Sequence, residues 1–168
     1  ICEGLVGSEM CIRDSFKWVS KDEIFQIPLV GWNMALNQYV RLKQGRKTSV
    51  KQMYSACGKH LKRGSSVYLF PEGTRSRNGK LGVFKEGAFI LAKRQRVAIL
   101  PIVINGSKHA VPKNRFNFSG RSDVHVQVLD EIPVESYDET TVSELTQKVR
   151  EMIRSRVFEE QADETVRD

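Results

Sequence analysis

The chain has 168 residues, 40% of them hydrophobic and 28% charged, which is enough apolar material for one sizeable core and too much for a disordered or fibrous chain. Lys and Arg number 27 against 20 Asp and Glu, a formal charge of +7 that points to anionic partners. Cys2, Cys11 and Cys57 form no Cys-x-x-Cys pair and indicate neither a disulfide framework nor a metal site, which fits a reducing, intracellular setting; the longest apolar runs fall far short of the ~20 residues that span a bilayer.

In chain order, Phe16 to Val19 reads as a strand, and Ser20-Lys21-Asp22-Glu23 has capping-box spacing that predicts a short helix interrupted at Pro28. Tyr39 to Leu42 is a second strand. Val50, Met53, Tyr54, Cys57 and Leu61 recur at helical spacing after Thr48-Ser49, and Arg63-Gly64 closes that helix. A strand at 66–70, a helix at 86–95 and strands at 98–104 and 122–130 follow. The last helix opens at Thr141, with Glu144 three residues on, and carries Val142, Leu145, Val149, Met152 and Val157 on one face, a stripe suited to core packing. Asp163 to Asp168 is a polar tail. Strands alternating with helices predict an α/β fold, one mixed sheet with helices on both faces and ligands at strand ends.

Charge is unevenly spread. Residues 135–168 hold ten acids and five bases, so residues 1–134 hold ten acids and 22 bases. No acid occurs between Glu23 and Glu72, where Arg41, Lys43, Arg46, Lys47, Lys51, Lys59, Lys62 and Arg63 all fall. Such a one-signed stretch attracts phosphorylated lipid at an anionic bilayer, an acidic acyl carrier or coenzyme A, or nucleic acid. Zinc-finger spacing, an aromatic platform motif and a helix-turn-helix pattern are all missing, which leaves charge alone in favour of nucleic acid.

The most informative segment is Phe70-Pro71-Glu72-Gly73-Thr74-Arg75, which follows the strand Val67-Tyr68-Leu69-Phe70. Pro71 ends that strand by removing a donor, Gly73 lets a ligand approach the backbone, Thr74 offers a hydroxyl and Arg75 a planar fork of donors for a phosphate. A strand-to-turn transition with a surface Arg is the plainer reading of Gly73 and Arg75 alone. The whole hexapeptide resembles the signature block of the glycerolipid acyltransferases, the family of the 1-acylglycerol-3-phosphate acyltransferases. Phe16 to Lys21, Ile27 to Trp32, Phe84-Lys85-Glu86-Gly87-Ala88 and Ile99 to Ile104 resemble further segments of that family, so the likeness runs from about residue 16 to about 134.

What the resemblance implies is transfer of an acyl chain from a thioester to the free hydroxyl of a lysophospholipid, in phospholipid synthesis. It places Glu72, Gly73, Thr74 and Arg75, with Lys43, at the substrate phosphate. Glu72 either orders the loop or makes a simple ion pair. Phe70, Pro71 and Pro101 shape the cleft. The family's second block, Gly, a short strand and Arg, corresponds to Asn37 through Lys43, with Asn at the Gly position and Lys at the Arg position. Lys43 brings a point charge without a fork, and Arg46 either compensates or is a solvated loop charge. Acyl-CoA or an acyl carrier protein thioester is the implied co-substrate, with no bound cofactor and no metal. The implied partners are the lysophospholipid and an anionic membrane surface, with the protein peripheral on the cytoplasmic face and any anchor preceding this chain.

The family's catalytic block, Asn-His, four residues, then Asp, is expected before Phe16. Residues 1–15 contain neither Asn nor His. Residues 1–15 are accordingly expected to stand apart from an N-terminally incomplete acyltransferase domain at 16–160, followed by the tail at 161–168. This chain alone is expected to lack the catalytic base; the alternative is a non-catalytic relative that binds anionic lipid or an acyl carrier. His125 and Asp130 have the right count but follow the signature block and lie on a strand, where residues five apart point to opposite faces. His60, near a helix end, and His109, in a loop, have no partner at a catalytic spacing.

Overall fold

Three β-rich segments of the N-terminal half associate in a computed structural model that describes residues 16–43, 45, 47–74, 80–107 and 123–157. β1 (Phe16–Lys21) is central, flanked by β2 (Val40–Leu42) and β3 (Ser66–Tyr68), both parallel to it. The register pairs Val19 with Val40, Lys21 with Leu42 and Trp18 with Tyr68. Parallel neighbours need long crossovers. Here a 3-10 turn (Asp22–Gln26) and α1 (Val30–Leu36) join β1 to β2, and α2 (Lys47–Lys62) joins β2 to β3. Val19, Phe25, Val40, Met53 and Cys57 are buried between these elements.

The capping box expected at Ser20 does not form. Ser20 still belongs to β1, opposite Arg41, and the turn is capped by Lys21 with no side-chain hydrogen bond. Pro28 does interrupt helical structure: the 3-10 turn ends at Gln26 and α1 begins at Val30, whose N–H donates to the Pro28 carbonyl at 2.8 Å. Gly31 explains how α1 docks. A Cβ there would lie 2.0 Å from the Phe25 carbonyl oxygen, so only glycine lets the helix rest on the 3-10 turn.

The chain divides between Phe70 and Pro71 into two compact units. In the second, α3 (Gly87–Gln95), the antiparallel pair β4 (Ile102–Asn105) and β5 (His125–Val128), a 3-10 turn (Val134–Ser136) and α4 (Val142–Arg154) surround one core. That core is Phe84, Phe89, Val103, Ile132, Tyr137, Leu145, Val149 and Ile153, with Val142, Met152 and Val157 packed against it. The α4 stripe therefore faces inward. Thr141 and Glu144 form the expected reciprocal box. Where the sequence predicts one mixed sheet, the described residues place parallel and antiparallel strands in separate sheets, one in each unit. The strand expected at 98–104 is split because Pro101, with no N–H to donate, separates the Ile99–Ile132 bridge from β4. In β5 the alternating valines do not enter the core: Val126 and Val128 are 62% and 58% exposed.

Two anchors hold α3. Lys93 Nζ donates to the carbonyls of Tyr137 and Asp138, both at 3.1 Å, and to that of Thr140. The Tyr137 hydroxyl donates to the Val97 carbonyl from a ring that is almost wholly buried.

Candidate functional site

Because β1, β2 and β3 run in parallel, their carboxyl ends share one edge, which is where such sheets carry ligands. β1 delivers Asp22 to that edge, β2 delivers Lys43, and the chain leaves β3 toward Phe70. Lys43 Nζ pairs with Asp22 Oδ2 at 3.4 Å, and its backbone N–H donates to Ser49 Oγ at 2.8 Å, from the first turn of α2. The other cation of β2, Arg41, lies 4.5 Å over the Phe25 ring. Both already have partners, the first of them one that the sequence did not reveal.

Phe70 is half exposed and stacks on Trp18, with 5.6 Å between ring centroids at 22°. Trp18 also meets Phe16 at 5.3 Å and Tyr68 at 4.2 Å, so an aromatic wall lines one face of β1 and β3. Burial raises the Tyr68 pKa, which keeps that hydroxyl protonated.

In the second unit, Pro71 to Thr74 are tied to the segment that resumes after residue 79. The Pro71 carbonyl accepts from Lys85 N–H at 2.8 Å, and Glu72 Oε2 accepts from Gly82 N–H at 2.8 Å. The Gly82 carbonyl in turn accepts from Arg150 Nε at 3.1 Å, which links the loop to α4. Gly73 has φ 65°, a conformation that favours glycine, and a Cβ there would lie 3.0 Å from Lys85 Nζ. The Lys85 ammonium therefore lies against the Gly73 backbone, beside the exposed Thr74. The sequence motifs include Lys85 in a matching segment but give it no role. Alternation was the signal for one: in extended chain a buried Phe84 turns its neighbour outward.

Arg75, Arg46 and His109 lie outside the described residues, as do residues 1–15 and the tail at 161–168. Pro101 is buried, and its carbonyl accepts from Leu129 N–H at 3.0 Å. His125 is exposed on β5, opposite Asn105, and Asp130 lies beyond the strand's end. His60 has its pKa lowered by burial and then by Lys17 and Arg63, which favours the neutral imidazole. It lines a concave space of about 410 Å³ with Gln38, Gln52, Ser55, Lys59 and Arg63, to which no sequence-predicted site residue contributes. Burial pushes the Cys57 thiol up to about 11, so this sulfur is packing rather than nucleophile. Among the described residues no three His, Cys, Asp or Glu converge on a metal position, and no helix is long and apolar enough to cross a membrane.

The fold defines an α/β protein with a braced, glycine-containing loop that follows the end of β3. The family model for acyltransferases matches residues 5–105, which takes in part of 1–15 as well as the segment from Phe16. A chloroplastic 1-acyl-sn-glycerol-3-phosphate acyltransferase of Arabidopsis thaliana is 41% identical over 117 residues, covering 70% of this chain and 33% of that protein. The 1-acyl-sn-glycerol-3-phosphate acyltransferase of Salmonella typhimurium is 30% identical over 142 residues, covering 84% and 57%. The crystal structure of the 1-acyl-sn-glycerophosphate acyltransferase of Thermotoga maritima superposes with a TM-score of 0.67 at 25% identity, covering 84% and 55%. The chain belongs to the glycerolipid acyltransferase family. It spans between a third and somewhat over half the length of these relatives.

Proposed function

We propose that this chain is the acceptor-positioning part of an acyltransferase of phospholipid synthesis, which moves an acyl group from acyl-CoA or an acyl carrier protein thioester to 1-acyl-sn-glycerol-3-phosphate. The acceptor hydroxyl oxygen attacks the thioester carbonyl, a C–O bond forms as the C–S bond breaks, and the hydroxyl proton ends on the departing thiol; the product is phosphatidic acid. The reaction needs no bound cofactor and no metal. The protein works as a peripheral protein at an anionic membrane surface, on the cytoplasmic face.

The observation that carries this reading is the loop from Pro71 to Thr74, braced through Glu72 and Gly82, with an ammonium laid along Gly73. Such a loop offers a phosphate a hydroxyl and a cation, to which Arg75 adds a bidentate fork. Glu72 orders the loop. Lys43, already paired with Asp22, contributes less. The base is the missing role, because no Asn-His-x4-Asp block precedes β1 in this sequence. The second reading is a non-catalytic relative that binds anionic lipid or an acyl carrier through the same loop. An Asn-His-x4-Asp block encoded in the gene ahead of residue 16 selects the enzyme, and an intact gene start without one selects the binding relative.

The test is equilibrium binding of a short-chain, monomeric lysophosphatidate to the purified chain, with acyl-CoA turnover measured alongside. The chain as it stands is expected to bind and not to turn over. Arg75→Lys keeps the charge and loses the fork, and should weaken binding by about tenfold, while Arg77→Lys has little effect. Equal binding by the two variants, near the parent, removes the phosphate role of the loop.

A further inference from the structure

α1 buries only Gly31 and leaves Val30, Trp32, Ala35 and Leu36 exposed, the reverse of what a helix packed on a core does. Gly31 faces inward and is pinned against the Phe25 carbonyl, and because nothing larger fits there the helix cannot rotate about its axis. Leu29, Trp32 and Leu36, spaced i, i+3 and i+7, therefore form one outward ridge that is 73%, 66% and 84% exposed, with Ile27 and Val30 beside it. Leu29 holds φ 66°, a strained conformation for a branched side chain, at the point where the ridge begins. An apolar ridge fixed outward by a buried glycine is a built feature rather than a scatter of surface leucines.

Its electrostatic setting narrows the occupant. From Ile24 to Val40 the sequence carries no charge of either sign, and no acid appears before Glu72. Cations stand at both margins. Lys17 Nζ donates to the Asn37 carbonyl at the C-terminal end of α1 at 3.0 Å, and Arg41 covers the Phe25 ring, on whose backbone α1 rests. Two acids precede the strip, Asp22, which is paired with Lys43, and the exposed Glu23. Leu and Trp on an uncharged strip with Lys17 and Arg41 beside it is the chemistry of a bilayer's headgroup–acyl boundary: indole prefers that depth, aliphatic side chains enter the acyl region, and ammonium and guanidinium groups meet lipid phosphates.

We infer that the Leu29–Trp32–Leu36 ridge of α1 is a membrane-contacting surface, inserted at the headgroup–acyl boundary of an anionic bilayer. This rests on the reading of the chain as a lipid acyltransferase domain. It adds that the bilayer is gripped by a defined apolar wedge and not only by diffuse positive charge.

The chain has two tryptophans, so Trp18→Phe makes Trp32 the sole reporter. This variant is mixed with phosphatidylcholine vesicles containing or lacking phosphatidylglycerol, with bromine placed near the headgroup end of the acyl chains. Trp32 emission should shift to the blue and be quenched by the bromines, and the parent chain should co-sediment with the anionic vesicles. Leu29→Ser with Leu36→Ser should bind them at least about tenfold more weakly, with unchanged circular dichroism, and Leu29→Met with Leu36→Met should restore binding. Three outcomes overturn the inference: co-sedimentation with Trp32 unquenched, ridge variants that bind like the parent, or a blue shift without lipid that follows protein concentration, which assigns the ridge to a second copy. Lysophosphatidate binding in the absence of vesicles, with its Arg75 dependence, is read separately. If it persists while Trp32 stays unquenched, the wedge falls and the acyltransferase reading stands; if it is lost while quenching persists, the reverse holds.

Discussion

Replacing Gly82 by alanine should destabilise the second unit through one identifiable contact. The three atoms nearest a methyl introduced at this position all belong to Glu72: Oε2 at 2.6 Å, Cδ at 3.5 Å and Cγ at 3.7 Å. The first distance is too short for a carbon, so the carboxylate must withdraw and give up the 2.8 Å bond that it accepts from the residue 82 amide. A hydrogen bond to a charged group contributes about 1.5–3 kcal/mol, and Gly82→Ala should cost about that much. Glu72→Ala loses the same bond and should cost a similar amount. In the double variant the methyl no longer meets a carboxylate, so the bond is lost only once; the gain of about 0.4–1 kcal/mol from restricting the unfolded chain is common to both variants with alanine at residue 82 and cancels in the comparison. The two losses therefore should not add; the coupling energy should match the one shared bond, about 1.5–3 kcal/mol. Both tryptophans lie in the first unit, so the assay is amide hydrogen exchange by mass spectrometry, read on peptides from α3 and α4. Additive losses would refute the contact, and with it the claim that Glu72 orders the signature loop by bonding the backbone.

Lys93→Met keeps the aliphatic stem and removes the ammonium that three carbonyls share, so α3 should lose about 2–3 kcal/mol, seen as faster exchange across Gly87–Gln95. Glu144 has its pKa lowered by hydrogen bonds from the Thr141 backbone and side chain. A carboxylate depressed on folding stabilises above its unfolded value, near 4.5, and that contribution disappears as pH falls through the lower folded value; the protection of α4 amides relative to their intrinsic exchange at each pH should therefore fall in acid below 4.5, and this acid step should shrink in Thr141→Ala. His60 is depressed too, but as a base, so its contribution is full above the unfolded value near 6.5 and declines as pH falls below it; an NMR titration of its imidazole should give a midpoint under that value.

Periodic elements were legible in the sequence because their burial is one-sided and local. The stripe of α4 reads inward, and Thr141 with Glu144 announces the start of that helix, since three residues suffice to build the box. The signature loop was legible as a string of residue types. What the string could not show were pairings made by the fold. Lys43 meets Asp22 only because β1 and β2 are parallel and in a register that sets Lys21 opposite Leu42. Lys85 meets Gly73 only because the Pro71 carbonyl receives the Lys85 amide. Direction was also hidden. The alternation of Val124, Val126 and Val128 and the spacing of Leu29, Trp32 and Leu36 are plain, yet both sets face solvent. Periodicity identifies a face without saying what covers it.

Charge at the signature loop follows from how its one acid is occupied. Glu72 is a natural counter-ion for Lys85, and had the two paired the charge of that lysine would be cancelled. Instead the carboxylate is committed to the Gly82 amide, and among the described residues no carboxylate lies within ion-pair distance of the Lys85 ammonium. The acid thus supplies shape while the base keeps its charge. At the sheet edge the arrangement is opposite, with Lys43 paired to Asp22. That pair is more than half exposed on the lysine side, so it stabilises by no more than about 1 kcal/mol. The two lysines therefore stand differently: an anion that reaches Lys85 displaces no carboxylate of the described residues, whereas one that reaches Lys43 must compete with Asp22.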